Sequence, residues 1–516
     1  MFPSLVLLAV LAAQTAPDPL ARVNTRLVEV DVVVRDKAGA VAGLQQSDFT
    51  VLDKGKPQRI ATFVVSLRKR ADPSPAPLAP GTVSNRLNQL GETPVGATVV
   101  LLDMLNTELE HQSEVRRQML AYLSTLTTED RLAFYTLNKT LRVVQDFTGD
   151  PNVLIAAAKR LSPEQSVDLG TPDLVTDLPV TGDAITDNMT KNAAAEMTDR
   201  ARQNRAEITV AALEMIARHL SGLPGRKKLV WFSASFPAFF SEQRSRVGAT
   251  QIEQFDYTRY IDHAVRALND ANVAVYPIDP RPIGVGDVFF APGIDTMNLI
   301  AGKTGGMSQY VINDLAGAMQ NVMQDDDIVY TLGFYPRDDK LDGAFHPLAV
   351  KVARSGVELR SRKGYFAADT KAPDAKQRRE SMKELFSSPL EATGLGLTAI
   401  AHPLSGQFGM YQLDVRLNIN ELHLEAERAK NGTPVWVARL DFVTQFAAGK
   451  PPYGTGEHIQ ITLTEERLRQ VLHDGFLLRR VIAAEQPSEI RIAVQDRATG
   501  ETGSLRLNLT TDLADH

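Results

Sequence analysis

The amino-acid sequence predicts an α/β fold: a doubly wound, mostly parallel sheet flanked by all-β sandwich domains. Three observations carry that reading. Ala97–Thr107 (ATVVLLDMLNT) is a short run of Val and Leu that ends on one carboxylate, Asp103, and gives way to helical spacing. Short apolar runs alternate with helix-period stretches throughout residues 97–327. On both sides of that block the pattern changes to alternating β-branched segments separated by turn residues.

Taken in order, residues 1–16 read as a secretory signal peptide. Leu5–Ala13 is apolar and small residues follow at Ala12, Ala13 and Ala16, although no Lys or Arg precedes the run. Residues 20–67 hold strands at Val23–Arg35, Phe49–Leu52 and Arg59–Ser66, too few to bury both faces alone. Residues 68–96 have linker composition, with Pro73, Pro75, Pro77 and Pro80. The α/β block follows over 97–327. A helix after Asp103 places Val115, Met119, Tyr122, Leu123 and Leu126 on one face, and two strands meet at Asn138-Lys139 as an antiparallel edge hairpin. A short helix spans Pro151–Leu161. Residues 162–200 show no clear period and carry Asp168, Asp173, Asp177, Asp183 and Asp187. They read as an insertion, either a solvated loop or a lid that recognises a ligand.

Arg202–Leu220 is a helix, with His219 read as a packed core histidine. Lys228–Pro237 is a buried strand ending at Ser233 and Ser235; Gln254–Asn269 is a helix; Ala271–Asp279 is a strand ending at Asp279. Helices at Asp295–Lys303 and Asp314–Met323 bracket a last strand at Met307–Val311. Strands at Ile328–Pro336, Leu348–Ala353 and Val357–Arg362, within 328–366, are expected to pair with those of 20–67 and complete one sandwich. Residues 367–393 read as a linker or short surface helix, and 394–513 as an immunoglobulin- or fibronectin-like sandwich of seven strands.

Composition narrows the function classes. The 516 residues carry a net charge of −6, which argues against a nucleic-acid surface. With no cysteine, disulfides and thiolate metal sites are excluded. The nine histidines form no HExxH pattern, and no GxSxG or post-strand GxGxxG occurs, which argues against zincin, esterase and dinucleotide chemistry. Asp103 sits where ligands bind in open α/β sheets, at the carboxyl end of a central strand; it reads either as a helix cap or as a ligand residue. A cysteine-free secreted chain fits a bacterial periplasm or exterior.

The 97–327 block resembles the von Willebrand factor A domain: an Asp ending the first strand, an edge hairpin, and a buried strand after GLPGRKKL. LLDMLNT, LPGRKKLVWFSASFP, VAVYPIDPRP and RKGYF resemble the VWFA-related family described mainly from Acidobacteria, over Val23–Phe366. The resemblance implies a divalent cation, Mg²⁺ or Ca²⁺, held by a DxSxS motif, a distant Thr and a later Asp. Asp103 and Thr107 match the ends of that motif; Leu105 stands at its middle Ser, and Asn106 substitutes only with a changed loop path. Ser233-Ala234-Ser235 occupies the place of the later Asp, with Asp279 as the rescuing ligand from the neighbouring strand. The function implied is a non-enzymatic module that binds a protein partner through the edge containing Asp103, Asn106, Thr107, Ser233, Ser235 and Asp279. A structural envelope scaffold with a vestigial site and a metal-assisted hydrolase are the other two readings.

Overall fold

The computed structural model describes residues 27–67, 78–86, 96–124, 131–164, 181–234, 236, 243–246, 249–252, 258–281, 294–310, 315–336, 343–367, 372–446, 453–484 and 489–509. The signal segment 1–16, Ser235 and residues 165–180 of the insertion lie outside the described residues. Among the described residues no helix is long and apolar enough to cross a membrane.

The central strand is β1 (Thr98–Asp103), and all six of its residues are buried. It is flanked by α1 (Leu109–Leu123), β2 (Leu132–Leu137), β3 (Leu141–Thr148), α2 (Pro151–Arg160) and α3 (Ala184–Leu220). Beyond these come β4 (Lys227–Phe232), α4 (Thr258–Asp270), β5 (Val273–Ile278), α5 (Ile294–Thr304) and α6 (Leu315–Met323). The sheet order is β5-β4-β1-β2-β3, parallel except for the antiparallel edge strand β3. Side chains alternate across the pleat. Val99, Leu101 and Trp231 pack under α3, α4 and α5, while Val100, Leu102 and Phe232 pack under α1, α2 and α6. Burying each such side chain contributes about 1.5–3 kcal/mol. The segment expected as a last strand touches the sheet through one parallel bridge, Gln309 to Ile278.

The insertion reading needs correction. Residues 184–200 are helical and continuous with Arg202–Leu220, so α3 runs for 37 residues. Asp183 caps it by accepting from the Ile185 and Thr186 N–H groups. No apolar period is visible in the first half because that half has little to pack against: Ile185, Met189 and Met197 are exposed.

Strands from both ends of the α/β block share the first β body. Val28–Asp36 lies between Ile328–Phe334 and Glu358–Ser361, antiparallel to both. Phe49–Asp53 lies between Phe345–Val352 and Lys56–Gln58. The two sheets enclose Val30, Val32, Phe49, Val51, Tyr330 and Phe334.

The second β body holds Leu397–Pro403, Met410–Leu417 and Phe476–Ala483 in one sheet. Glu425–Arg428, Pro434–Phe446, Tyr453–Leu463, Glu489–Asp496 and Thr502–Asn508 form the other. Two segments read as linkers belong to it. Val83–Ser84 adds a strand to Leu397–Pro403, and buried Asn85 donates to the Ala392 and Leu395 carbonyls. Pro-rich flanks hid that short strand. Helix Ala375–Ser387 buries Met382 and Leu385 against Ala493.

Both β bodies grip the α/β sheet at its amino edge. Asn272, just before β5, donates to Asp31 at 2.8 Å. Arg226, just before β4, donates to Tyr276 Oη and the Gly305 carbonyl. Tyr276 Oη in turn donates to Asp325, which Arg360 of the first β body also holds at 2.6 Å. The second β body meets the α3–β4 turn. Arg86 donates to the Gly222 carbonyl, and Thr393 accepts from the Gly222 N–H and donates to the His219 carbonyl. A Cβ at Gly222 would lie 2.3 Å from Arg86 Nη1 and from the Thr393 carbonyl oxygen, so this close approach requires glycine. His219 is buried, stacks on Phe147 and places Nδ1 2.7 Å from the Glu391 carbonyl.

Candidate functional site at the carboxyl edge

The parallel pairing of β1 with β4 sets Leu102 beside Phe232, which brings Ser233 to the end of the central strand. Asp103 there is fully buried. Its Oδ2 accepts from Trp231 Nε1 at 3.1 Å, Ser233 Oγ at 2.9 Å and Asn106 Nδ2 at 2.9 Å. Its Oδ1 accepts from the Asn106 N–H at 3.0 Å. Burial pushes the Asp103 carboxyl above its ordinary range, and the hydrogen bonds from Asn106, Ser233 and Trp231 oppose that rise. The helix-cap reading is not what the chain does: Glu108 occupies the N-cap of α1 without a side-chain cap bond. Asp103 organises the loop before the helix instead.

Asn106 ties that loop to α3, since its amide nitrogen also donates to Thr209 Oγ1 at 2.9 Å. Its Oδ1 is buried without a hydrogen-bond partner. Thr107 is buried, and its hydroxyl accepts from the Ala234 N–H at 3.2 Å. Leu105 faces the core under α3, which accounts for an apolar residue within the loop. Gln112 braces the loop from α1: its amide donates to the Thr107 and Glu164 carbonyls and accepts from the Glu164 N–H. Asp279 is fully engaged elsewhere. Arg281 grips both of its oxygens at 2.7–3.2 Å, and the Arg281 N–H donates to Oδ1. At the rim, His111 Nε2 lies 3.5 Å from Glu108 and 3.4 Å from Glu110.

Asp103, Asn106 and Ser233 therefore form one network, and Thr107 joins its frame through Ala234. Trp231, Thr209, Gln112 and Arg281 are contributors that sequence reasoning missed. Arg281 had a readable signal, because Asp-Pro-Arg folds the arginine back over the aspartate in an Asx turn. Thr209 had none, lying 103 residues from Asn106.

No protein-family model matches the chain, and no curated protein matches it. Solved structures do match. An aerotolerance-related membrane protein from Bacteroides fragilis is 11% identical with a TM-score of 0.27, over 45% of this chain and 98% of its own. The vWF domain of the type V pili tip protein Mfa5 from Porphyromonas gingivalis is 11% identical with a TM-score of 0.27, over 46% and 96%. A von Willebrand factor type A protein from Catenulispora acidiphila is 11% identical with a TM-score of 0.26, over 95% and 76%. At these scores the likeness carries no argument, and the α/β assignment rests on strand order and side-chain layers.

Proposed function

We propose that the chain is a secreted protein-interaction module of the A-domain type, which offers the carboxyl edge of its α/β sheet to a protein partner. One observation carries the reading. The contacts described above from both β bodies fall on the amino edge, at Asn272, Asp325, Gly222 and His219. None of those contacts falls on Asn106–Glu108, Ser233 or Asp279, at the opposite edge. In open α/β sheets this is the ligand-binding side.

The edge works without a resident cation in this proposal, and its donor set supports that. A hard divalent cation takes oxygen ligands and usually at least one or two carboxylates. Asp103 is the one carboxylate of the network, both of its oxygens already accept protein hydrogen bonds, and Leu105 offers no ligand atom. Asp279, the rescuing ligand expected from sequence, is held by Arg281.

A photo-crosslinking residue placed at exposed Glu110 tests the partner surface, with the same residue at exposed Phe408 on the second β body as reference. In cells expressing the full chain, a discrete protein adduct is expected from position 110 and not from 408. Adducts only from 408, or none from either, overturn the proposal in favour of a scaffold.

A further inference from the structure

We propose that a groove on the first β body binds an acidic oligosaccharide, one bearing uronate carboxylates. Lys56–Gln58 is the edge strand of one sheet and Ile60–Leu67 the edge strand of the other, so the chain crosses between sheets at Arg59. That crossing leaves the side of the two-sheet body open, as a groove of about 1040 Å³. Phe49 and Ile60, members of the body's core, form its floor. Gln46, Gln58, Arg59 and Tyr335 are among the polar groups that line it.

Each group suits a sugar acid. Tyr335 is 49% exposed, and its ring offers an electron-rich face to the C–H face of a pyranose. Arg59 is exposed and makes no ion pair among the described residues; its planar fork matches a carboxylate. Arg59 is also the one charged side chain of the lining, so the groove favours an anion. The glutamine amides supply donors and acceptors for vicinal hydroxyls. Gln46 Nε2 is used on the Ile60 carbonyl, which leaves its Oε1 free to accept. Gln58 Oε1 is buried without a hydrogen-bond partner, and a ligand hydroxyl would satisfy it once the amide rotates toward the groove. An apolar floor with a few convergent polar groups is the usual make-up of a ligand site.

The test is calorimetric titration of the full chain with tetragalacturonate, beside its fully methyl-esterified form and a tetra-glutamate peptide. Saturable binding of the acid is expected, with affinity about tenfold lower for the ester and for Arg59→Gln, as one charge-assisted pair predicts. Tyr335→Ala is expected to weaken acid and ester alike. The acid–ester comparison uses the unaltered protein, so it stands whether or not a variant folds. No saturable binding of the acid, equal binding of acid and ester, or equal binding of the glutamate peptide overturns the proposal.

Discussion

The two edges of the α/β sheet bury charge in opposite ways. At the carboxyl edge Asp103 is held by neutral donors from Trp231, Ser233 and Asn106, and Asp279 pairs only with Arg281 of its own turn. At the amino edge Arg226, Asp325 and Arg360 meet around Tyr276, with Lys227 and Asp31 also buried nearby. The first arrangement shapes one loop within one body. The second joins two bodies, and its ions come from both of them. A lone buried acid with neutral partners keeps its own loop in place, whereas a mixed-sign network fixes where one body sits on another. The difference teaches that ion pairing between segments distant in sequence marks the fixed joint, while the carboxyl edge is built from hydrogen bonds and one local ion pair.

Removing one acid from each edge breaks the comparison most directly. Asp325→Ala leaves the Tyr276 hydroxyl buried without its acceptor, removes a counter-charge of the buried Arg226 guanidinium, and frees Arg360. A loss of about 3–5 kcal/mol is expected, since an uncompensated buried cation is the most costly remainder. Asp103→Ala strands only neutral donors and removes a desolvated charge, so about 2 kcal/mol is expected. Thermal unfolding of both variants beside the wild type checks the order. Equal losses, or a larger loss at Asp103, would refute the contrast.

The next effect sharpens the amino-edge side. Burial lowers the Lys227 ammonium from its ordinary value of 10.5 to about 8, partly offset by Asp31. Between those two values the unfolded chain binds more protons than the folded one, so this group makes stability rise with pH. Across the whole window the gain amounts to at most about 3 kcal/mol. Asp103 has the opposite sign and another window. Its raised carboxyl favours the folded state most at low pH, and that contribution fades as pH rises from 3.8 through the raised value. Unfolding of wild type and Lys227→Met from pH 7.5 to 9.5 isolates the lysine. The wild type should gain on the variant as pH rises, and parallel curves would show that Lys227 stays charged.

Much of this contrast was legible in the sequence, and the rest failed for identifiable reasons. Ala97–Asp103 and Lys228–Pro237 read as buried strands because their runs are largely apolar, and the strands observed at Thr98–Asp103 and Lys227–Phe232 bring Asp103 and Ser233 together. The first half of α3 was illegible because an exposed helix carries no apolar stripe. Val83–Ser84 was illegible because a two-residue strand has no period, and prolines around it signalled a linker. The amino-edge joint was missed for another reason. Arg226, Lys227 and Lys228 were visible as three consecutive cations opening a buried strand, but the acids that face Arg226 and Lys227 lie far away in sequence, at Asp31 and Asp325. Cations that begin a buried strand must be paired or desolvated, and that physical demand was the signal.

The smallest expected effect bears on the carboxyl edge. Titration of Mg²⁺, Mn²⁺ and Ca²⁺ into chelated protein should show no saturable heat that Asp103→Ala removes. The reason lies in the geometry: for Asp103 to ligate a cation, its Oδ2 must surrender hydrogen bonds from Trp231, Ser233 and Asn106. Trp231 Nε1 and the Asn106 amide would then be buried donors facing a cation, at a cost of about 1–3 kcal/mol each. One carboxylate does not offset that cost. Saturable binding that disappears in Asp103→Ala would mean the donors swing aside and the edge is a working cation site, and the partner search would then turn to acidic ligand residues. Binding that persists in Asp103→Ala would place the ion elsewhere, with His111, Glu108 and Glu110 at the rim as the first residues to substitute.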